Sequence, residues 1–76
     1  MKDILESIIL NIVDDRNSVS ITERLEDETT IFDVKVAEND MGKVIGKQGK
    51  TAKAIRTLIK SIATKEKKRV VVKFVE

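Results

Sequence analysis

The stretch that decides the fold is residues 44–51, which read Val-Ile-Gly-Lys-Gln-Gly-Lys-Thr. Gly46 and Gly49 bound a short polar turn that lies between two stretches with helical spacing of apolar residues. A backbone without Cβ atoms adopts positive φ and approaches a ligand closely. Such a turn also directs amide N–H groups to the start of the second helix, where an anion is favoured. The stretch therefore predicts a clamp for the phosphate backbone of a single-stranded nucleic acid.

Lysines surround this turn on both sides. They are Lys43, Lys47, Lys50 and Lys53. Like charges at this spacing destabilise a helix by roughly tenths of a kcal/mol per pair. A chain that tolerates this repulsion is expected to offset the lost stability by binding an anion. The simpler alternative is that these lysines are ordinary solubilising residues on exposed helix faces.

The charge of the chain divides unevenly around the same region. Residues 1–40 carry four basic and eleven acidic residues, a net charge of −7. Residues 41–76 carry eleven basic and two acidic residues, a net charge of +9, and the sum is the +2 of the whole chain. A basic second half indicates a surface directed at a polyanion.

Composition excludes several classes of function. The 76 residues include no cysteine and no histidine. Disulfides and thiolate or imidazole metal sites are therefore excluded, and most general bases and nucleophiles lose their usual participants. No apolar run approaches the roughly 20 residues that span a bilayer. We expect a single domain over residues 1–76, a soluble cytoplasmic protein that is not an enzyme and has no cofactor.

Outward from the turn, apolar periodicity predicts six elements. Helices are expected over residues 2–14, from about residue 40 to residue 45, and from residue 50 to about residue 63. Strands are expected over residues 18–25, 29–37 and 69–75, with a hairpin tip at residues 26–28 and a basic loop at residues 64–68. Phe32, Val34 and Val36 share one face of the second strand, and Ile31 is an apolar exception on the other face. The expected fold is α+β, in the order α-β-β-α-α-β, with three helices on one face of a three-stranded mixed sheet.

The glycine turn has two other interpretations. A nucleotide-binding P-loop needs a glycine five residues before Gly49, where Val44 stands, and it needs a preceding strand rather than a helix. That interpretation is excluded. The second is a plain helix–turn–helix connection in which the glycines only supply unusual dihedral angles. The combination of a β-branched pair, polar turn residues, flanking helices and lysines favours the clamp.

The Val-Ile-Gly-Lys-Gln-Gly signature, with Ile55 further along the helix, resembles the KH domains, and the order of elements matches their type II topology. The resemblance covers the whole chain. It implies that a Gly-x-x-Gly loop grips about four nucleotides of single-stranded RNA. The residues to which it assigns this role are Gly46, Lys47, Gln48 and Gly49 in the loop, Lys43, Lys50 and Lys53 on the flanking helices, and Val44 and Ile45 in an apolar groove for bases.

Some of the roles that the resemblance implies have an alternative. Val44, Ile45 and Ile55 can equally be core residues, and Ala52 stands where many KH signatures have a larger aliphatic side chain. The resemblance also implies an RNA chaperone or post-transcriptional regulator linked to cell elongation and division. Its expected partners are single-stranded RNA and a second KH module, in a homodimer or in a heterodimer with a larger KH-containing protein. The alternative is a KH-fold protein-interaction module without RNA function.

Overall fold

The computed structural model describes residues 1–75 and confirms the predicted order of elements. The elements are α1 (Lys2–Leu10), β1 (Ser20–Glu26), β2 (Thr29–Lys35), α2 (Met41–Ile45), α3 (Lys50–Lys65) and β3 (Arg69–Val75). Single 3₁₀ turns at Arg16–Ser18, Glu38–Asp40 and Lys47–Gly49 complete the connections. Within residues 1–75 there is no helix whose length and apolar character would let it cross a membrane.

The three strands form one mixed sheet in the order β1-β2-β3. β1 and β2 are an antiparallel hairpin, and β3 lies parallel to β2 with Phe32 beside Val72. A parallel neighbour needs a long crossover connection, which α2 and α3 supply. The fold is therefore the α+β arrangement of the type II KH topology that the sequence predicts.

The core lies between the helices and the inner face of the sheet. α1 contributes Leu5 and Ile9, which are fully buried, and α3 contributes Ile55 and Ile59. The sheet contributes Ile21, Phe32, Val34 and Val72, joined by Val44 of α2 and by Val13 and Val36 from the connections. Burial of these apolar side chains is the main driving force for folding.

Ile31 lies on the sheet face that carries no helix, as its alternation predicts, and yet it is only 6% exposed. It sits on the central strand between Arg24 of β1 and Val71 of β3. Side chains directly opposite in a sheet lie about 5 Å apart, so long neighbours cover a central residue. Arg24 is held across this face by a 2.8 Å hydrogen bond from its Nε–H to Asp33.

Several predicted boundaries are wrong by a few residues. β1 begins at Ser20 rather than at residue 18, and β2 ends at Lys35 rather than at residue 37. α1 ends at Leu10, where the Asn11 side-chain amide donates to the Ser7 carbonyl, although Val13 still packs in the core after the helix has ended. The hairpin tip is two residues long rather than three. α3 continues to Lys65, two residues beyond the predicted end.

Candidate nucleic-acid interface

The Gly-x-x-Gly loop is a single 3₁₀ turn between α2 and α3. The Gly49 N–H donates to the Gly46 carbonyl over 3.2 Å. Three of its residues have positive φ, namely Gly46 at 78°, Gln48 at 58° and Gly49 at 75°. The two glycines adopt this conformation without the steric cost that a Cβ atom brings. The positive φ that the sequence predicts for the two glycines is confirmed.

Gly46 meets a second requirement, which is space. A Cβ atom there would lie 2.2 Å from the Thr51 Oγ1 and 2.8 Å from the Thr51 backbone nitrogen. Its ψ of 174° places it in a region of backbone space that is essentially restricted to glycine. A Cβ at Gly49 would meet no atom of residues 1–75 within 4 Å. Close packing of the loop on the first turn of α3 therefore depends on Gly46.

The start of α3 is exposed and positively charged. Lys47, Gln48, Lys50 and Lys53 are all exposed. No side chain of residues 1–75 caps the helix, and its first turn carries lysines instead of the acidic residues that usually complement a helix N-terminus. The positive end of the helix dipole and the adjacent ammonium groups both favour a phosphate at this point.

Lys43 is placed differently from the other lysines. Its ammonium donates a hydrogen bond to the Asp14 carboxylate and lies 3.8 Å from the Asp40 Oδ1. The hydrogen bond to Asp14, together with the negative charges of Asp14 and Asp40, raises the pKa of Lys43 against the opposing effect of desolvation. The charge of Lys43 is therefore already paired within the protein.

The apolar residues before the loop face inward. Val44 is fully buried in the core and leaves no surface for a ligand, and Ile55 is 4% exposed. Ile45 is half-buried and packs against the core from its edge. Of the aliphatic residues that the sequence associates with a groove, Ile45 is the one with an accessible side chain.

A groove with a volume of about 350 Å³ lies between α3 and the edge strand β3. It is lined by Arg56 and Lys60 of α3 and by Val70, Val71 and Val72 of β3. Arg56 lies about 9 Å along the helix from Lys50, and Lys60 about 15 Å, because each residue adds about 1.5 Å.

Arg56 closes one side of this groove. Its Nε–H donates to the Val72 carbonyl over 3.2 Å, and its guanidinium lies 5.3 Å from the centre of the Phe74 ring. The sequence-based site did not include Arg56, Lys60 or the β3 residues. The available signal was the spacing of Lys53, Arg56 and Lys60 at i, i+3 and i+7, which places three cations on one side of the helix.

A chain with the order α-β-β-α-α-β, a parallel third strand and a Gly-x-x-Gly loop between adjacent helices is a type II KH domain. The family model described as "KhpA/KhpB, KH domain" matches residues 2–74. Relatives named "RNA-binding protein KhpA" include that of Clostridium acetobutylicum, 52% identical over 99% of this chain and 100% of the relative. Those of Clostridium perfringens and Caldanaerobacter subterraneus are 49% and 47% identical over the same shares. The chain belongs to the KhpA/KhpB family of KH-domain proteins.

Proposed function

We propose that this protein binds single-stranded RNA by gripping its phosphate backbone at the Gly-x-x-Gly loop. The observation that carries the proposal is the exposed start of α3. It has no side-chain cap, it directly follows the glycine turn, and Lys47 and Lys50 flank it. The relatives named as RNA-binding proteins match the chain over nearly its whole length and support the same ligand. Gly46 and Gly49 let the RNA backbone approach, and Gln48 at the loop tip offers further hydrogen bonds.

The bases then lie along the groove between α3 and β3. Arg56 and Lys60 line the α3 side, and Val70 and Val71 supply an apolar wall on the β3 side. Lys53 lies one turn nearer the loop and extends the row of cations along α3. α3 is 16 residues long, about 24 Å, which suits a footprint of about four nucleotides. Lys43 is assigned a structural role, because its charge is paired with Asp14 and Asp40.

The double substitution Lys47→Asp with Gln48→Asp tests the clamp. Both side chains are exposed, so the fold is expected to persist while RNA binding is lost. The matched control is Arg16→Asp with Asn17→Asp, which makes the same charge change in another exposed 3₁₀ turn. Binding of a short single-stranded RNA is measured by fluorescence anisotropy at two salt concentrations.

Three outcomes of this titration separate the alternatives. Loss of binding in the loop variant alone, with salt-dependent binding by the wild type, supports the clamp. Equal loss in both variants assigns binding to net charge rather than to the loop. Undetectable binding by the wild type favours the alternative, a KH-fold protein-interaction module without RNA function.

We also propose that the domain acts together with a second KH module. One module contacts few nucleotides and reads little sequence through phosphates, so useful affinity comes from linking two modules. The second module would be another copy of this chain or a larger KH-containing protein of the Jag/KhpB type. The description of the family model names both KhpA and KhpB. The expected role is that of an RNA chaperone or post-transcriptional regulator linked to cell elongation and division. Sedimentation of the protein alone and with such a partner tests the pairing.

A further inference from the structure

Asp40 is a buried carboxylate at the start of α2. It is 1% exposed, and its two oxygens accept hydrogen bonds from the backbone N–H groups of Asp14 and Asp15 over 3.1 Å and 2.9 Å. Burying a carboxylate is costly unless hydrogen bonds replace its water. The two donors lie in the connection between α1 and β1, 26 and 25 residues away in sequence. Asp40 therefore ties this connection to the beginning of α2.

Lys43 completes this cluster from one turn further along α2. It pairs with both Asp14 and Asp40, so the buried charge of Asp40 has a cation beside it. Hydrogen bonds from the Asp15 and Asp14 amides, assisted by Lys43, hold the pKa of Asp40 below its ordinary value despite burial. We name Asp40, Lys43, Asp14 and the Asp15 amide the α2 brace.

α2 depends on such anchors because it is only five residues long. A helix of this length has no stability of its own in water. Val44 is its buried side chain, with Met41 and Ile45 packed at the edge of the core. The brace holds its first turn, and its last residue leads directly into Gly46. Movement at Asp40 is therefore transmitted over about 8 Å to the loop.

We propose that Asp40 is a positioning residue for the Gly-x-x-Gly loop, and that the α2 brace holds the loop in the conformation that receives RNA. This inference rests on the proposed function, since the loop is taken as the RNA-contacting element. For the change in RNA affinity when the charge of Asp40 is removed, it predicts the opposite sign from simple electrostatics. Removing a negative charge near an RNA site should strengthen binding, whereas removing this one weakens it.

The test compares Asp40→Asn with Glu38→Gln. Both remove one negative charge from the same 3₁₀ turn, but Glu38 is exposed and lies outside the brace. Binding of a short single-stranded RNA is measured well below the unfolding temperature of each variant, after circular dichroism shows that each is fully folded. If the brace-free loop is competent about a tenth of the time, Asp40→Asn binds about tenfold more weakly. Glu38→Gln is expected to bind as tightly as the wild type or slightly more tightly.

Amide hydrogen exchange without RNA gives a second measurement that does not depend on binding. Asp40→Asn is expected to speed exchange in α2 and at residues 46–49 while leaving the exchange of β2 and β3 unchanged. A merely stabilising role would instead raise exchange throughout the domain and leave the affinity of the folded protein unaltered.

The outcomes distinguish this inference from the proposed function. Wild-type affinity in fully folded Asp40→Asn overturns the positioning role, even if Lys47→Asp with Gln48→Asp still abolishes binding. If the wild type binds no RNA, the proposed function fails on its own. The exchange measurement then decides whether the brace orders the loop. Unchanged exchange at residues 46–49 in Asp40→Asn overturns the positioning role.

Discussion

At the scale of single residues, the two glycines of the loop differ in what they require. Gly46 combines a backbone conformation open mainly to glycine with a contact that leaves no room for a Cβ atom. Gly49 adopts an ordinary left-handed conformation with open space around its Cα. The spacing of the glycines is visible in the sequence, but the contact with Thr51 that makes Gly46 the stricter position is not.

Alanine substitutions measure this difference. Gly46→Ala is expected to destabilise the fold by about 3 kcal/mol or more, because backbone strain of about 1–3 kcal/mol is joined by a clash. Gly49→Ala is expected to cost roughly 1–2 kcal/mol, the usual penalty for a left-handed residue with a Cβ atom. Urea unfolding of both variants gives the comparison. Equal losses of stability would contradict the packing described for Gly46.

The lysines around the loop are also unequal. Lys43 is paired with two carboxylates, whereas Lys47 is exposed at the turn. Lys47→Ala is expected to lower the salt dependence of RNA binding, reducing the slope of log K against log salt by about 0.7. Lys43→Ala should leave this slope near the wild-type value, because its charge is already neutralised. A change in slope for Lys43→Ala as large as that for Lys47→Ala would show that RNA displaces Asp14 and Asp40 from Lys43.

At the scale of elements, the helix and strand types follow from periodicity, and the errors fall at their ends. Ile12 and Val13 continue the apolar spacing of α1 beyond its last residue, since a turn can also bury side chains. The hairpin turns at Asp27 and Glu28, both with positive φ; aspartate is common at the first position of such a turn, but Glu28 stands where glycine is usual. Both residues are exposed, and the pairing of Glu26 with Thr29 on either side of them closes the turn.

The end of α3 also differs from its predicted position, and the reason is the residue that terminates the helix. The Lys68 N–H donates to the Ala63 carbonyl and the Lys67 N–H to the Thr64 carbonyl, which is the Schellman arrangement of a helix C-terminus. Its left-handed position is occupied by Lys67, with φ of 57°, instead of the usual glycine. Without that glycine, the sequence contains no local signal for where the helix stops.

Substitution at this position tests the assignment. Lys67→Gly is expected to stabilise the fold by about 0.5–1 kcal/mol, because relief of left-handed strain exceeds the added entropy of the unfolded chain. The control is Lys65→Gly, which removes the same charge from the last helical residue and should destabilise by up to about 1 kcal/mol. Thermal unfolding of the two variants gives the signs. Destabilisation by Lys67→Gly would be inconsistent with the helix end described.

At the scale of the whole molecule, the acidic first half and the basic second half meet at the α2 brace. Asp14 and Asp40 come from the acidic half, and Lys43 from the basic half. The sequence predicts the charge asymmetry but not this pairing. Asp14 and Lys43 are 29 residues apart, and the packing of the connection between α1 and β1 against the start of α2 brings them together. The groove likewise joins residues distant in sequence, since Arg56 of α3 contacts Val72 of β3, 16 residues further along the chain.

The brace gives stability a defined pH dependence. Because the pKa of Asp40 is lowered from 3.8, its contribution is present above that value and is lost as pH falls through the lower folded-state pKa. The pKa of Lys43 is raised from 10.5, so its contribution is present below that value and lost as pH rises through the higher folded-state pKa.

The stability difference between the wild type and Asp40→Asn is therefore expected to be constant near neutral pH and to shrink below about pH 4. Urea unfolding of both proteins across the acid range measures it, with Glu38→Gln as the control for general charge effects. A difference that stays constant into strong acid would show that Asp40 does not contribute through its charged form.

The central claim is that the Gly-x-x-Gly loop and the adjacent groove hold single-stranded RNA. Titrating a short single-stranded RNA into ¹⁵N-labelled protein and following each backbone amide by NMR tests it most directly. The largest shifts are expected at residues 46–53, with further shifts at Arg56, Lys60 and residues 70–72 along the groove. Shifts confined to the helix-free face of the sheet, or no shifts at an RNA concentration that saturates binding, would contradict the claim.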